Sequence, residues 1–339
     1  MDNDQSLPHS EEKEKESQRG KNIAVVGPGR MGTGIAQVFA SNDFEVELVD
    51  IKERPDSEKL AALDKSIEKM KENLEFLSDK GEIDYDIHEC ISRINCNRNL
   101  EDSLSKAEWV FEALPENVKI KKEFLERADS HVNKKTIVCS TTSSISIKSL
   151  TEPLTNPERL LITHWLNPPF IIPLVEVAKN DTTSVGAVED TVKLLKSIKK
   201  VPVVCRDSPG FIGARIQAAA MNEAVRIYEE GIAKPRDIDR AIKAGIGFRM
   251  AVLGLIEFID IGGVDILYHV NNYLKEEIGS RFKNPKSVES KIDKNKLGLK
   301  TREGYYDFKN VNLEEMLKEK YTNFLNVLSA MPDLERKEN

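Results

Sequence analysis

Long apolar runs are missing from this sequence. Crossing a bilayer takes roughly 18–20 consecutive apolar residues. The nearest approach, residues 250–261, is shorter and contains Glu257 and Asp260, so no membrane span is expected and the stretch reads as a buried helix. Residues 1–19 are dense in Glu, Lys, Ser and Asp and lack the apolar centre of a secretory signal; residues 1–20 are expected to be a disordered tail. Cysteine is sparse. Cys90, Cys96, Cys139 and Cys205 make no CxxC pair, which argues against structural zinc or a disulfide framework and fits a reducing cytoplasm. No metal site is expected. Positive charge is also short: the formal net charge of −7 excludes phosphate-backbone binding by the whole surface and makes nucleic acid an unlikely partner. A local basic pocket for a small anionic substrate stays open.

What is present suits two globular domains, since 339 residues with a 40% hydrophobic share can bury two cores. Residues 22–27 read as a buried strand, residues 30–40 as a helix and residues 45–50 as a second strand. Strand, glycine turn, helix, strand is the first half of a doubly wound sheet. From Leu60, apolar residues fall at Leu63, Ile67, Met70, Leu74 and Leu77, and Gly81 ends the stripe; Ile83, Ile87 and Ile91 predict a second limb folded back as a helical hairpin. Further strands are expected over 109–114, 136–141, 160–164, 174–178 and 201–205, with helices over 118–128 and 185–198. After residue 206 only helical patterns remain. The expected fold is therefore α/β: a Rossmann-type, doubly wound, mostly parallel sheet over 21–206 with a helical-hairpin excursion, then an all-α C-terminal domain over 207–310 and a helical extension over 311–339.

Gly27-Pro-Gly29-Arg-Met31-Gly32 matches G-x-G-x-x-G between a strand and a helix, the context in which the motif has meaning. The first glycine allows the tight turn, the second lets a pyrophosphate approach the backbone, and the third lets helix and strand pack closely. Gly27, Gly29, Met31 and Gly32 are the candidate cofactor contacts of this turn. Asp50, at the end of the second strand, has the spacing of an acid that binds the adenosine ribose hydroxyls. It favours NAD over NADP, because a carboxylate there repels a 2′-phosphate; Lys52 and Arg54 could soften that choice.

The catalytic signal lies downstream. Leu160-Leu-Ile-Thr-His164 reads as a strand stopped by Asn167-Pro-Pro, which puts the imidazole near a strand end, and Glu176 sits inside the apolar run that follows. A lone histidine at a strand end is more often structural than catalytic. A buried carboxylate next to it, downstream of a dinucleotide fold, shifts the reading to a general acid/base whose tautomer Glu176 fixes. Ser140-Thr-Thr-Ser-Ser144 could bond a substrate oxygen or cap the helix starting near Ile145.

Taken together, Phe111-Glu-Ala-Leu-Pro-Glu-Asn117 with Lys121, the Ser-Thr-Thr-Ser-Ser run, His164-x-x-Asn-Pro, Val175-Glu-Val, Asp207-x-Pro-Gly-Phe211 and Gly298-Leu-Lys-Thr-x-x-Gly-Tyr305 resemble the 3-hydroxyacyl-CoA dehydrogenase superfamily, over about residues 22–308. The resemblance implies that His164 is the acid/base and Glu176 its orienting partner, that Ser143 meets substrate and nicotinamide, and that Asn167 shapes the pocket. It also implies that Glu116, Lys121 and Lys300 are cofactor contacts and that Ser66 meets CoA. Two positions depart from the pattern: Ala214 replaces an asparagine expected before Arg215, and Asn73 stands where a CoA-binding lysine is expected. The 167–176 segment is similar to the branch containing L-gulonate 3-dehydrogenase (lambda-crystallin), carnitine dehydrogenase and a vitamin B6-degradation dehydrogenase. The expected activity is NAD-dependent oxidation of an L-3-hydroxyacyl thioester. Its alternatives are a free hydroxy-acid dehydrogenase and a non-catalytic, crystallin-like NAD-binding protein. In the C-terminal domain, Gly245-Ile-Gly-Phe248 and the apolar stripe over 250–259 offer more apolar surface than one small domain hides and predict a homodimer through it.

Overall fold

A computed structural model of the chain describes residues 22–97 and 99–331; the tail expected over 1–20 lies outside them. Within the described residues the chain divides after Ala219 into two compact units.

The first unit is built on eight strands: β1 (Asn22–Val26), β2 (Glu45–Val49), β3 (Ile94–Asn97), β4 (Trp109–Glu112), β5 (Ile137–Ser140), β6 (Leu160–Trp165), β7 (Leu174–Lys179) and β8 (Val201–Arg206). They run in the order β3-β2-β1-β4-β5-β6-β7-β8, and every neighbouring pair is parallel except β6–β7. The exception follows from the connection. Residues 166–173 contain no helix, and a parallel return needs a crossover of a dozen residues or more. Between the other strands lie α1 (Arg30–Ala40), α2 (Asp56–Asp79), α3 (Ile87–Ser92), α4 (Leu100–Lys106), α5 (Val118–Asp129), α6 (Ile147–Leu150) and α7 (Val185–Ser197), and α8 (Gly213–Glu229) follows β8.

Alternate strand residues feed two cores. Ile23, Val25, Phe111, Leu161, Trp165 and Val175 join one cluster, whereas Ala24, Val26, Val110, Leu160, Ile162 and Ala178 join the other. Both faces are covered, which is why these strands read as continuous apolar runs rather than as alternating patterns.

The long α2 buries Leu63, Met70 and Leu74 of the predicted stripe together with Ser66, while Ile67 and Leu77 are partly buried and Leu60 is exposed. Gly81, at φ +72°, ends it. The expected second limb is shorter than its isoleucine spacing suggests: α3 covers six residues, and Ile83, Ile87 and Ile91 only lean on the core. β3 and α4 were not anticipated.

The second unit is helical, with elements at Pro235–Ala241, Leu255–Gly262, Val264–Glu277, Lys286–Asp293 and Leu313–Ala330. The expectation of a buried helix over 250–261 is corrected. Gly254 caps a helix that starts at Leu255; Leu255 and Ile256 are exposed, and Asp260 is the buried residue of that helix because it accepts from the Tyr305 and Tyr306 amides. No helix among the described residues is long and apolar enough to cross a membrane.

Candidate active site

The order of strands reverses between β1 and β4, so the turns after these two strands flank the crevice where open α/β sheets bind dinucleotides. Gly27 sits at φ +106°, and a Cβ there would meet the Ala113 carbonyl oxygen at 2.8 Å. A Cβ on Gly32 would land on the Gly27 carbonyl, whereas one on Gly29 would meet nothing within 4 Å. Two glycines are thus demanded by packing, while the third leaves open space above the N-terminus of α1. That is the cradle a pyrophosphate requires. Met31 packs partly against the core at the first turn of α1.

Asp50, almost fully buried, accepts from the Lys52 amide at 3.0 Å and from Arg54 Nε at 2.8 Å. Arg54 is thereby drawn onto the acid that follows β2. Ser66 lies under the glycine turn, donating to the Pro28 carbonyl at 3.0 Å and accepting from Thr33 at 3.1 Å. The structure therefore puts this expected CoA contact in a buried bond that braces the turn. Asn73 donates to Gln37 at 2.9 Å.

Two further turns stand at the ends of β4 and β5. Glu116 accepts from Thr142 Oγ1 at 2.6 Å, from the Ser143 and Ser144 amides at 3.1 Å each, and from Ser144 Oγ at 2.9 Å. Burial pushes its carboxyl up, but the Thr142 and Ser144 bonds and the Lys121 charge outweigh this and hold it below the usual carboxylate range. Ser143 itself is exposed at the tip. Lys121 was expected at the cofactor. Its ammonium instead lies wholly inside, 2.7 Å from Glu112 Oε1 and 3.3 Å from both the Leu114 and Thr141 carbonyls, so all three of its protons have protein acceptors.

His164 and Glu176 are directly opposed in the antiparallel β6–β7 register, and directly opposed residues put their side chains on the same face. His164 Nδ1 lies 2.6 Å from Glu176 Oε2, while Glu176 Oε1 accepts from the Ile212 and Gly213 amides at 2.8 Å each, at the start of α8. A carboxylate in that setting accepts the hydrogen bond of an Nδ1–H group, which leaves the Nε2 lone pair available. Phe211 packs on the imidazole with ring centroids 5.7 Å apart. Asn167 is exposed two residues beyond β6. The connection behind it is held by Lys200, whose Nζ donates to the Pro169 and Ile172 carbonyls at 2.5 and 3.0 Å.

In the second unit, Lys300 bonds both oxygens of Asp265 at 2.9 and 2.8 Å. Among the described residues no cluster of His, Cys, Asp and Glu could hold a metal ion, and the four cysteines are free. Sequence reasoning missed Glu112, Lys200 and the α8 amides. Only Glu112 carried a signal, as a charged residue inside the apolar strand over 109–114.

A glycine-turn nucleotide cradle and a histidine–carboxylate pair carried by the same sheet fit the class of NAD-dependent oxidoreductases. The chain matches the model of the 3-hydroxyacyl-CoA dehydrogenase NAD binding domain over residues 22–208 and that of the 3-hydroxyacyl-CoA dehydrogenase C-terminal domain over 210–308. It therefore belongs to the 3-hydroxyacyl-CoA dehydrogenase family, with NAD as its cofactor. It is 34% identical over 291 residues to the mitochondrial hydroxyacyl-coenzyme A dehydrogenase of Sus scrofa, covering 85% of this chain and 91% of that one. It is 32% identical over 288 residues to the 5-formyl-3-hydroxy-2-methylpyridine 4-carboxylate 5-dehydrogenase of Mesorhizobium japonicum, covering 84% and 90%. Among solved structures, the 3-hydroxyacyl-CoA dehydrogenase of Archaeoglobus fulgidus matches with a TM-score of 0.73 at 31% identity, over 92% of this chain and 100% of that one.

Proposed function

We propose that the chain oxidises a short-chain L-3-hydroxyacyl thioester to the 3-ketoacyl form, and reduces it in reverse, with His164 as the general acid/base. The observation that carries this reading is the 2.6 Å contact between His164 Nδ1 and Glu176, with the other carboxylate oxygen fixed by two backbone amides. Because Nδ1 donates to Glu176, Nε2 takes the proton of the C3 hydroxyl and Glu176 balances the imidazolium that results. NAD, when bound on the glycine turn and Asp50, supplies the acceptor for the C3 hydride. Ser143 and Asn167, both exposed beside the strand ends, are assigned to hold the substrate oxygen, and Glu116 sets the Ser143 turn.

The test is turnover, read by NADH absorbance, on 3-hydroxybutyryl-CoA, gulonate, carnitine and 3-hydroxybutyrate. Only the thioester should react. His164→Gln should lower its kcat by about 10²-fold or more while leaving NADH binding intact, the loss usual for a missing acid/base. Turnover within about twofold of wild type in that variant would remove His164 from the mechanism. Preference for a free acid would move the chain to the hydroxy-acid reading, and NADH binding without any turnover would make it a non-catalytic binder.

A further inference from the structure

Resting on the reading of His164 and Glu176 as the acid/base pair, we propose that Phe211 is the residue that positions both of them: its left-handed backbone aims two amides at Glu176, and its ring holds the plane of the His164 imidazole. Where β8 turns into α8, Gly210 and Phe211 sit in succession at φ +74° and +45°. A bulky side chain in the left-handed region is an outlier that persists only where its surroundings hold it, and such strain collects at functional sites. Of the five described non-glycine residues with positive φ, Phe211 is the one that is aromatic and the one that is buried; the other four are exposed polar residues. Its amide donates to the Ser208 carbonyl at 2.9 Å, and the Arg215 amide, in the first turn of α8, donates to the Gly210 carbonyl at 2.9 Å.

The backbone serves the carboxylate. Directly after Phe211, the Ile212 and Gly213 amides both donate to Glu176 Oε1 at 2.8 Å, and successive N–H groups that converge beside a left-handed residue make a concavity suited to an anion. A Cβ on Gly213 would lie 3.4 Å from Glu176 Oε2, so the carboxylate fits closely into this turn. The ring serves the imidazole. Ile162 and Ala178 lie two residues along β6 and β7 from His164 and Glu176, on the same face of the sheet, and Phe211 joins their core cluster. Its centroid is 5.7 Å from that of the imidazole, with the planes at 44°. Among the described residues the imidazole has one hydrogen-bond partner, Glu176, and a single bond at Nδ1 lets a ring tilt about that atom. The Phe211 ring closes one side and limits the tilt, which keeps Nε2 pointed in one direction. A displacement of about 1 Å at a reacting group can cost about 10²-fold in rate.

Positioning and general packing separate in a double-mutant cycle on the full-length chain. Phe211→Gly removes the ring, Phe211→Leu keeps apolar bulk, and each is also combined with His164→Gln. Steady-state kinetics are run on whichever compound of the panel turns over, with Tm, NADH titration and hydrogen exchange of the Ile212 and Gly213 amides, read by mass spectrometry, alongside. Phe211→Gly should lower kcat by about tenfold or more and Phe211→Leu by about threefold, with KM and NADH affinity within about twofold of wild type. Exchange at 212 and 213 should quicken by about tenfold in Phe211→Gly and about threefold in Phe211→Leu, while β1 and β4 exchange as in wild type. In the His164→Gln background neither change should slow the residual turnover further, because groups that act as one unit are non-additive.

An equal loss of kcat with and without His164 would overturn the proposal and make Phe211 a packing residue like any other. Wild-type kcat in folded Phe211→Gly would overturn it as well, and so would unchanged exchange at 212 and 213. Should Phe211→Gly fail to fold, Phe211→Leu decides by the same measures, and wild-type kcat and exchange there are the refuting result. Failure of the acid/base reading has a separate signature, near-wild-type turnover in His164→Gln alone. Exchange is read without substrate, so it decides even if the whole panel gives no turnover.

Discussion

At Glu176 the chain places a carboxylate at a fully buried strand position, where an uncompensated charge would cost several kcal/mol. Three donors offset that cost: His164 Nδ1 and the amides of Ile212 and Gly213. The amides come from the start of α8, whose positive dipole end adds to the stabilisation of negative charge. The carboxylate is thus held by backbone, and its side-chain hydrogen-bond partner among the described residues is the imidazole. A Glu176→Gln variant keeps the shape but reverses the logic. Its amide oxygen would stay with the two backbone N–H groups, so its NH2 would face Nδ1 and force the imidazole proton onto Nε2. With Nε2 protonated, His164 cannot accept the substrate proton. We predict a fall in kcat of about 10²–10⁴-fold, as for other triad carboxylates made neutral, with NADH affinity within about twofold of wild type. Steady-state kinetics and a fluorescence titration check both halves; a kcat within about tenfold of wild type would mean that the tautomer is set elsewhere.

Among the elements, the connection from β6, the strand of His164, to β7 contains no helix. It is secured by a lysine. Lys200, almost fully buried at the start of β8, donates to the Pro169 and Ile172 carbonyls and lies 5.8 Å from the Trp165 ring. Burial pulls its amine down to about 8 from the ordinary 10.5. The unfolded chain therefore binds more protons than the folded one between these values, so this group makes stability rise with pH from about 8 to about 10.5. Below that window both states are protonated and the penalty is present in full. Relative to Lys200→Gln, wild type should gain on the order of 1 kcal/mol across the window, reduced from the fully buried limit by water near the amine. Chemical denaturation of both proteins at pH 7.5 and pH 10 measures this, and a gain of the opposite sign would refute it. This anchor could not be read from the sequence, where Lys199 and Lys200 look like a solvated charge run before a strand. The same limit hid β3: Ile94-Asn-Cys-Asn97 has one buried apolar residue, because the strand lies at the sheet edge. By contrast, β1, α1, β2 and the His164–Glu176 pair were legible. In each of these the partners are joined by a connection of eight residues or fewer, so local pattern and tertiary contact coincide. The Ile212 and Gly213 amides meet Glu176 across more than thirty residues, and no periodicity encodes a contact of that range.

On the scale of the whole molecule, the second unit has more apolar surface than it can hide. Among its described residues Val264, Val288, Leu253 and Phe308 are the buried apolar ones, a small core for a unit of this length. Three of its helical segments instead show an exposed apolar stripe with the same spacing. Met221, Val225 and Tyr228 form one, Ile266, Val270 and Tyr273 the second, and Tyr321, Leu325 and Leu328 the third, each with its members at least 47% exposed. Spacing of i, i+4, i+7 puts each set on a single helix face, and an amphipathic helix directs such a face towards a partner. Contiguous apolar patches of this kind are uncommon on soluble monomers beyond a few hundred Å². We predict that a second copy of this chain covers them, since closed two-fold pairing is the commonest way in which a single chain buries its own apolar surface. Light scattering should give twice the chain mass, independent of concentration over the micromolar range. Val270→Glu, which puts a charge in the middle of one stripe, should shift that mass towards the single chain. Because the substitution lies outside the first unit, it should leave NADH titration of the glycine turn within about twofold of wild type. A wild-type mass of one chain at every concentration would refute the pairing, and unchanged dimer mass in the variant would remove the 266–273 stripe from the interface.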